Sequence, residues 1–255
     1  MGATCNDLDV HDRLKTLAWN LNHRTNQKVI PPTVVGVLDG LDVDIAFFNE
    51  FVERSPREAF RQELSDRGYV HQLVSFSSDR HNRVLAASRV PIGLGDLKPP
   101  SMNGTAVASM LHLLVDGTNL EIIGLRVPAY TTAAKRSEYR AELNAILHGA
   151  QDRAIVVAGD FNEDPFRRPA DASSTAVPFK GVEMFAVTNP IGDWSYMNSL
   201  GTKTSRIDHV MHAGAVRIDH ATYCYEVDGI HLAGPKDILP ISDHAALVFT
   251  MEPKM

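Results

Sequence analysis

The sequence contains little cysteine and no long apolar segment. Only Cys5 and Cys224 occur among 255 residues, so we expect no disulfide framework and a reducing compartment. No apolar run approaches the roughly 20 residues needed to span a bilayer. The first residues lack the basic and apolar regions of a signal peptide. These absences predict a cytoplasmic protein without a membrane span.

Positive charge is also scarce. Lys and Arg number 25 against 31 Asp and Glu, for a net charge of -6. This balance excludes a broadly basic nucleic-acid binder, but not an enzyme that holds phosphate locally through a few Arg and Lys residues or a metal. With 44% hydrophobic residues, the chain is able to bury a sizeable core. No repeat, low-complexity tract or linker divides it, so we expect a single domain over residues 1–255, with no obligate protein partner evident.

Short strand-like runs alternate with helix-like runs along the chain. Ten predicted strands with three helices are too many strands for a simple doubly wound fold, and they favour paired sheets with helices packed outside. Three segments rich in glycine, proline or polar residues are predicted loops: 93–104, 166–180 and 189–204. The strands are predicted at 16–21, 44–48, 70–75, 84–88, 106–115, 120–127, 154–158, 207–212, 215–223 and 244–251, and the helices at 33–41, 56–67 and 134–150.

The most informative motif follows the apolar run 154–158. The run ends in Gly159, after which come Asp160 and Asn162, two residues apart and therefore expected on one face of the strand. A carboxylate and an amide at the mouth of a sheet suit water activation and oxyanion binding. Asp and Asn also occur at strand ends simply because they start turns. Taken alone, the motif leaves both interpretations open.

Four other strand ends carry polar groups suited to metal or phosphate. Each has a structural explanation by itself, as a turn residue or a hydrogen-bonded histidine. Five such places in one chain indicate a shared site. The four are Trp19-Asn20, Asn49-Glu50, Arg206-Ile207-Asp208 and Ser242-Asp243-His244.

This ordered set resembles the endonuclease/exonuclease/phosphatase superfamily, which includes AP endonucleases, pancreatic-type deoxyribonucleases, sphingomyelinases and inositol-polyphosphate phosphatases. The resemblance extends from residue 16 to residue 250, and the segment 85–92 is similar to the family's strand followed by Ser-Arg-x-Pro. It implies an α/β fold, specifically a four-layer α/β sandwich. In that fold two packed, mostly antiparallel sheets are flanked by helices, and the active site lies in a cleft at one end of the sheets.

The resemblance also implies a metal site. Glu50 would be the principal ligand of Mg²⁺ or Mn²⁺, assisted by Asn20 and Asp243. Ligation by oxygen atoms is what such hard cations prefer.

Four further residues receive catalytic roles from the resemblance. Asp160 would orient and deprotonate the attacking water. Asn162 and His244 would donate hydrogen bonds to the non-bridging phosphate oxygens as negative charge builds there. Asp208 would pair with His244, raise its pKa and keep it protonated.

Arg126 departs from the family pattern, because many members place His there and AP endonucleases place Tyr. That family residue helps to hold the phosphate or to protonate the leaving group. Arg binds phosphate well through two hydrogen bonds but is a poor acid, since its pKa exceeds about 12. The departing oxygen would then be stabilised by the metal or a bound water. The alternative is that Arg126 makes a structural ion pair.

The leading interpretation is a divalent-metal-dependent phosphodiester hydrolase, in particular a nuclease acting on DNA or RNA. Its motifs look more like nuclease-type members than inositol phosphatases, which carry a Trp-Cys-Asp-Arg segment absent here. A phosphomonoesterase or lipid-headgroup phosphodiesterase is the alternative, favoured if Trp194 and the loop 93–104 formed a closed pocket. Trp194 and Tyr196 could stack on a base or cap the core. An inactive binding module is a third possibility, which predicts the loss of a core acid.

Overall fold

The computed structural model describes residues 13–22, 30–53, 57–76, 82–102, 105–129, 132–164 and 185–254. Within these residues the chain forms two six-stranded sheets, three two-stranded sheets and three α-helices. None of the described helices is long and apolar enough to cross a membrane.

The first sheet has the strand order β15-β18-β1-β2-β4-β3. Strands β1 and β2 are parallel, and the other neighbours are antiparallel. The carboxyl ends of β1 and β2 therefore lie at the same edge. The strands are β1 (Leu14–Asn20), β2 (Ile45–Phe51), β3 (His71–Val74), β4 (Arg83–Ser88), β15 (Val216–Cys224) and β18 (Ala246–Pro253).

The second sheet has the order β11-β14-β10-β9-β8-β5. Its one parallel pair is β9 with β10, and β14 runs antiparallel to β10. The strands are β5 (Ile92–Leu94), β8 (Met110–Val115), β9 (Glu121–Arg126), β10 (Ile155–Asp160), β11 (Ala186–Thr188) and β14 (Asp208–Ala213).

The remaining elements are short pairs of strands and the helices. The pairs are β6 (Ser101–Met102) with β7 (Thr105–Ala106), β12 (Tyr196–Met197) with β13 (Thr204–Ser205), and β16 (Glu226–Val227) with β17 (Ile230–His231). The helices are α1 (Thr33–Leu41), α2 (Glu58–Asp66) and α3 (Ala133–Gly149), and a short 3-10 helix spans Lys236–Ile238.

Alternation of side chains along the strands divides the core into three apolar layers. In β2, Ile45 and Phe47 face the second sheet, whereas Ala46 and Phe48 face α1 and α2. In β10 the even-numbered residues face the first sheet and the odd-numbered ones pack on α3. The order of layers is helices, sheet, sheet, helix. The predicted four-layer sandwich is confirmed.

The two sheets approach closely at Gly124 in β9. A Cβ atom built there would lie 2.2 Å from Cδ1 of Phe47 in the opposite sheet. Only a residue without a side chain leaves room for the Phe47 ring, so the glycine sets the local spacing of the sheets.

Most predicted elements are present, with small shifts at their ends. The predicted strand 106–115 is wrong as one element, because β7 and β8 are separated by residues 107–109. The predicted loops 93–104 and 189–204 are wrong in part, since each contains short strands: β5 and β6 in the first pair with strands outside it, and β12 in the second pairs with β13 at its end. The predicted loop 166–180 lies outside the described residues.

Two identical substitutions should change stability in opposite directions. Gly124→Ala places a methyl group against Phe47 and should lower the free energy of unfolding by about 1–3 kcal/mol. Gly36→Ala, in the middle of α1 with open space around its Cβ position, should raise it by up to about 1 kcal/mol. Chemical denaturation at equilibrium measures both. A Gly124→Ala protein as stable as the wild type would contradict this account of the sheet packing.

Candidate active site

The ends of four strands bring polar side chains into one cleft between the sheets. Asp160 ends β10 and pairs in register with Arg126 of the parallel strand β9 and with Asp208 of the antiparallel strand β14. Residues two positions earlier in β9 and β10 face the other sheet, so Arg126 and Asp160 point the same way. Asn20 ends β1 opposite them and reaches across between the sheets. The cleft begins where the apolar core ends.

Asp160 is held by three hydrogen bonds from two residues. Nδ2 of Asn20 donates to its Oδ2 at 3.0 Å, and Asn162 donates its backbone N–H to Oδ1 at 2.9 Å and its Nδ2 to Oδ2 at 3.0 Å. Burial raises the pKa of Asp160 to about 6, with the charge of Asp208 adding to the rise and those of His244 and Arg126 opposing it. The carboxyl group therefore titrates near the pH at which a general base is most effective.

His244 and Asp208 form a buried ion pair. Nδ1 of His244 lies 2.9 Å from Oδ2 of Asp208. Burial alone would lower the pKa of His244, but the charge and hydrogen bond of Asp208 outweigh it and raise the pKa to about 10. His244 is thus an imidazolium at neutral pH, and its other ring nitrogen faces Asp243 at 3.9 Å.

Backbone contacts fix the position of this pair. Nε1 of Trp19 donates to the carbonyl oxygen of His244 at 2.9 Å, and Oγ of Ser242 donates to the carbonyl oxygen of Asn20 at 2.6 Å. Oγ of Ser195 accepts the N–H of Asp208 at 2.9 Å. Ser195 is fully buried and was missed by the sequence interpretation, because an isolated serine in a predicted loop gives no signal.

Glu50 stands in a bulge of β2 and faces Arg126. The register with β4 shifts between Asn49 and Phe51, and Glu50 itself has φ 62°. A left-handed backbone is rare for a side-chain-bearing residue and is found where the surroundings impose it. Nη2 of Arg126 lies 2.6 Å from Oε1 of Glu50, with the two side chains only 12% and 10% exposed.

Two further backbone positions shape the end of β10. Gly159 has φ 139°, and a Cβ atom there would lie 2.0 Å from the carbonyl oxygen of Leu125. Only glycine is accommodated, because the obstacle is the neighbouring strand's backbone. Asn162 adopts φ 52°, which turns its amide back to donate to Asp160 and to the carbonyl oxygen of Val127 at 2.7 Å.

Oxygen donors suited to a divalent cation lie in the same cleft. Oδ1 of Asp243 is buried and makes no hydrogen bond within the described part of the chain. Burial raises the pKa of Asp243, and the nearby charges of Glu50 and Asp208 raise it further. The amide oxygen of Asn20, which accepts the N–H of Asn22 at 2.9 Å, and the carboxylates of Glu50 and Asp243 are oxygen donors of the kind Mg²⁺ or Mn²⁺ binds. This donor set fits a hard cation.

Charge balance supports the same fit. Four carboxylates and two cationic groups of the described residues lie in the cleft. Two negative charges are therefore uncompensated when all six groups are ionised. Buried charge without a counter-charge is costly, and a divalent ion would compensate it. The carboxylates belong to Glu50, Asp160, Asp208 and Asp243, and the cations are Arg126 and His244.

The ligand atoms of Asp160, Asp208 and His244 also lie within 4.8 Å of one another. A protonated imidazole does not coordinate a metal, so this triad is better suited to hydrogen bonding than to ligation.

The same proximity occurs far from the cleft for Asp96, His112 and Glu121. There Arg153 donates to both carboxylates at 2.7 and 2.9 Å, and Nε2 of His112 lies 2.8 Å from Glu121. That group is a satisfied structural network at the opposite end of β9 and β10.

The two aromatic residues considered for base stacking have different surroundings. The ring of Trp194 lies 4.5 Å from that of Tyr225 and packs on the core, so Trp194 caps the core. The ring of Tyr196 lies edge to face 5.2 Å from His244 and belongs to the cleft.

The sequence model of the Endonuclease/Exonuclease/phosphatase family matches residues 17–244. The chain belongs to this family. Its members are phosphoester hydrolases, and the match includes every residue assigned above to the cleft. A comparison with curated proteins finds no match.

Solved structures with the same fold include several endonuclease/exonuclease/phosphatase proteins. An AP endonuclease from Archaeoglobus fulgidus is 16% identical, with a TM-score of 0.68, 92% of this chain covered and 98% of that one. A 3′ phosphatase (NExo) from Neisseria, bound to a product DNA hairpin, is 18% identical, with a TM-score of 0.65 and coverage of 95% and 100%. D. rerio TDP2, complexed with a single-stranded DNA product, is 15% identical, with a TM-score of 0.64 and coverage of 94% and 99%.

The ion pair between Asp208 and His244 predicts how the pKa of His244 responds to a substitution of Asp208. Asp208→Asn removes the partner charge, so the pKa of His244 should fall below about 10. In the wild type, a pKa raised above the unfolded value of 6.5 stabilises the fold fully below pH 6.5, and this contribution is lost as the pH rises through about 10. NMR titration of the imidazole resonances measures the shift. Asp152→Asn, at an exposed turn before β10, is the matched control, and an unchanged titration of His244 in Asp208→Asn would refute the assignment.

Proposed function

We propose that this chain is a divalent-metal-dependent phosphodiester hydrolase, and specifically a nuclease acting on DNA or RNA. The observation that carries the proposal is the arrangement of Asp160. A buried carboxylate with a pKa of about 6 lies within the influence of an imidazolium, His244, and a guanidinium, Arg126. A base and two cationic donors converging on one cleft suit attack of water on an anionic phosphoester.

In the proposed reaction the chain positions and deprotonates water. Asp160 accepts a proton from the water as its oxygen bonds to phosphorus, and the bond from phosphorus to the leaving oxygen breaks. His244 donates its free ring N–H to a non-bridging oxygen, and Asp208 holds the ring in place from the other side. Asn162, whose amide now bonds to Val127 and Asp160, would turn one N–H toward the phosphate.

Glu50, Asn20 and Asp243 would hold Mg²⁺ or Mn²⁺. When bound, such an ion acts as a Lewis acid on the phosphate and stabilises negative charge in the transition state. These oxygen ligands support a hard cation, and metal-binding measurements would distinguish Mg²⁺ from Mn²⁺.

Several observations support an active enzyme that acts on nucleic acid. The motifs look like nuclease-type members, and the 3′ phosphatase and the TDP2 structure of the same fold carry DNA products. All four carboxylates of the cleft are present, which disfavours an inactive binding module. The core position of Trp194 removes the feature that would favour a closed pocket for a small phosphoester. Because the net charge of the chain is -6, we propose that a few residues in the cleft bind the phosphate. The cytoplasmic location stays a prediction.

Asp160→Asn should lower the turnover of DNA or RNA by about 10²–10⁴-fold, because the amide cannot accept the proton. The measurement is cleavage of labelled single-stranded, double-stranded and abasic-site DNA, and of RNA, with Mg²⁺, Mn²⁺ or EDTA.

Asp152→Asn supplies the matched control, since it makes the same change at an exposed turn beyond the other end of β10. Wild-type rates in a folded Asp160→Asn protein would exclude Asp160 as the base. No cleavage of any nucleic acid by a wild type that binds Mn²⁺ would exclude the nuclease and direct the search to small phosphoesters.

Glu50→Ala should act mainly on metal binding and raise the Kd for Mn²⁺ by about tenfold or more, because one charged ligand is lost. Titration calorimetry measures the Kd, and circular dichroism verifies folding, since Arg126 loses its partner. Glu58→Ala, at an exposed site in the first turn of α2, should bind Mn²⁺ like the wild type. Unchanged Mn²⁺ affinity in Glu50→Ala would remove Glu50 from the metal site.

A further inference from the structure

The side chains of Arg126 and Glu50 are engaged with each other where the proposed function needs them for other partners. Nη2 of Arg126 lies 2.6 Å from Oε1 of Glu50, and the pair is shielded from water, with exposures of 12% and 10%. A charge-assisted contact this short and this shielded is among the stronger side-chain interactions in a protein. It occupies an oxygen of the principal proposed metal ligand.

A divalent cation and a guanidinium compete for that oxygen. Both are positive, so bringing a metal to Glu50 weakens the attraction that holds Arg126 and adds repulsion in a cleft of low dielectric. A metal bound at Oε1 would therefore displace Arg126 from that oxygen. His or Tyr at this position, as in other family members, would not bring a permanent positive charge to the carboxylate.

The surroundings of Arg126 supply the displaced side chain with a second partner. Arg126 stands beside Asp160 in the β9–β10 register, and its charge reaches Asp160 strongly enough to oppose the rise in the pKa of that carboxyl. Its Nε is buried and makes no hydrogen bond within the described residues, so part of the guanidinium fork is unused. A phosphate held next to Asp160 and His244 would offer the two acceptor oxygens that this fork matches.

We propose that Arg126 competes with the divalent metal for Glu50 and, once displaced by it, binds the substrate phosphate. The inference rests on the proposed function of the same cleft. In the metal-free protein the Arg126–Glu50 ion pair keeps the guanidinium away from the phosphate position. Metal and phosphate then bind with positive coupling, and by thermodynamic linkage each raises the affinity for the other by the same factor.

The test measures Mn²⁺ binding rather than turnover. Mn²⁺ Kd values are determined by electron paramagnetic resonance of the free ion, with and without dimethyl phosphate as a phosphodiester probe. Arg126→Met should bind Mn²⁺ alone about tenfold more tightly than the wild type, because the competitor is gone. Dimethyl phosphate should tighten Mn²⁺ binding in the wild type, and this gain should be much smaller in Arg126→Met.

Arg140→Met is the matched control. Arg140 is also a partly buried arginine, but it pairs with Glu163 at 2.7 Å, whereas within the described part of the chain the ion pair of Glu50 is with Arg126. Its loss removes the same unit of charge, from a residue that contacts Glu163 beside Asn162, and should change the Mn²⁺ Kd less than twofold. An equal gain in Arg140→Met would show a general effect of charge and overturn the proposal.

Arg126→Lys keeps the test decisive if Arg126→Met does not fold. Lysine retains the competing charge but lacks the fork, so the Mn²⁺ Kd should stay near that of the wild type while the coupling to dimethyl phosphate falls. Unchanged coupling in Arg126→Lys, or unchanged Mn²⁺ affinity in a folded Arg126→Met, would overturn the proposal alone. A wild type that binds no Mn²⁺ would instead overturn the metal-dependent function on which it rests.

Discussion

The constraint on which the site depends is the compensation of buried negative charge. Strand ends deliver carboxylates to a cleft from which water is largely excluded, and an isolated ionised carboxylate is unstable there. Asp208 is compensated by His244, Glu50 by Arg126, and Asp160 by amides and by a pKa raised toward neutrality. Among the residues that the structure describes, Oδ1 of Asp243 has no hydrogen-bond partner, and this buried oxygen is suited to a cation.

The rigid sheets make these compensations possible. Glu50 and Asn162 have positive φ angles that residues with side chains rarely adopt, and they lie at or just beyond the ends of buried strands. Such conformations persist only where the surrounding structure over-determines them, and they cluster at functional sites. Here the apolar layer between the sheets stabilises the fold. This stability offsets the strain of the unfavourable backbone angles that orient the side chains in the cleft.

Proteins that share this fold differ in function. Solved structures at 15–18% identity share the architecture over more than nine-tenths of the chain, yet they include an AP endonuclease, a 3′ phosphatase and TDP2. Function therefore depends on the side chains that the shared sheets present. In this chain the ion pair of Arg126 with Glu50 gives the cleft a property that the fold alone does not predict.

The sequence by itself predicted the layered architecture and supplied a set of candidate site residues. Strand periodicity and motif order are local, and the motif at Gly159, Asp160 and Asn162 can be recognised without knowing what lies opposite. Only the tertiary structure decided the partners: that Arg126 bonds to Glu50, that Ser195 holds Asp208, and that Trp194 packs on Tyr225. These contacts join residues far apart in the chain. They depend on the register of strands across two sheets and on one bulge, and no local pattern of residues encodes those distances.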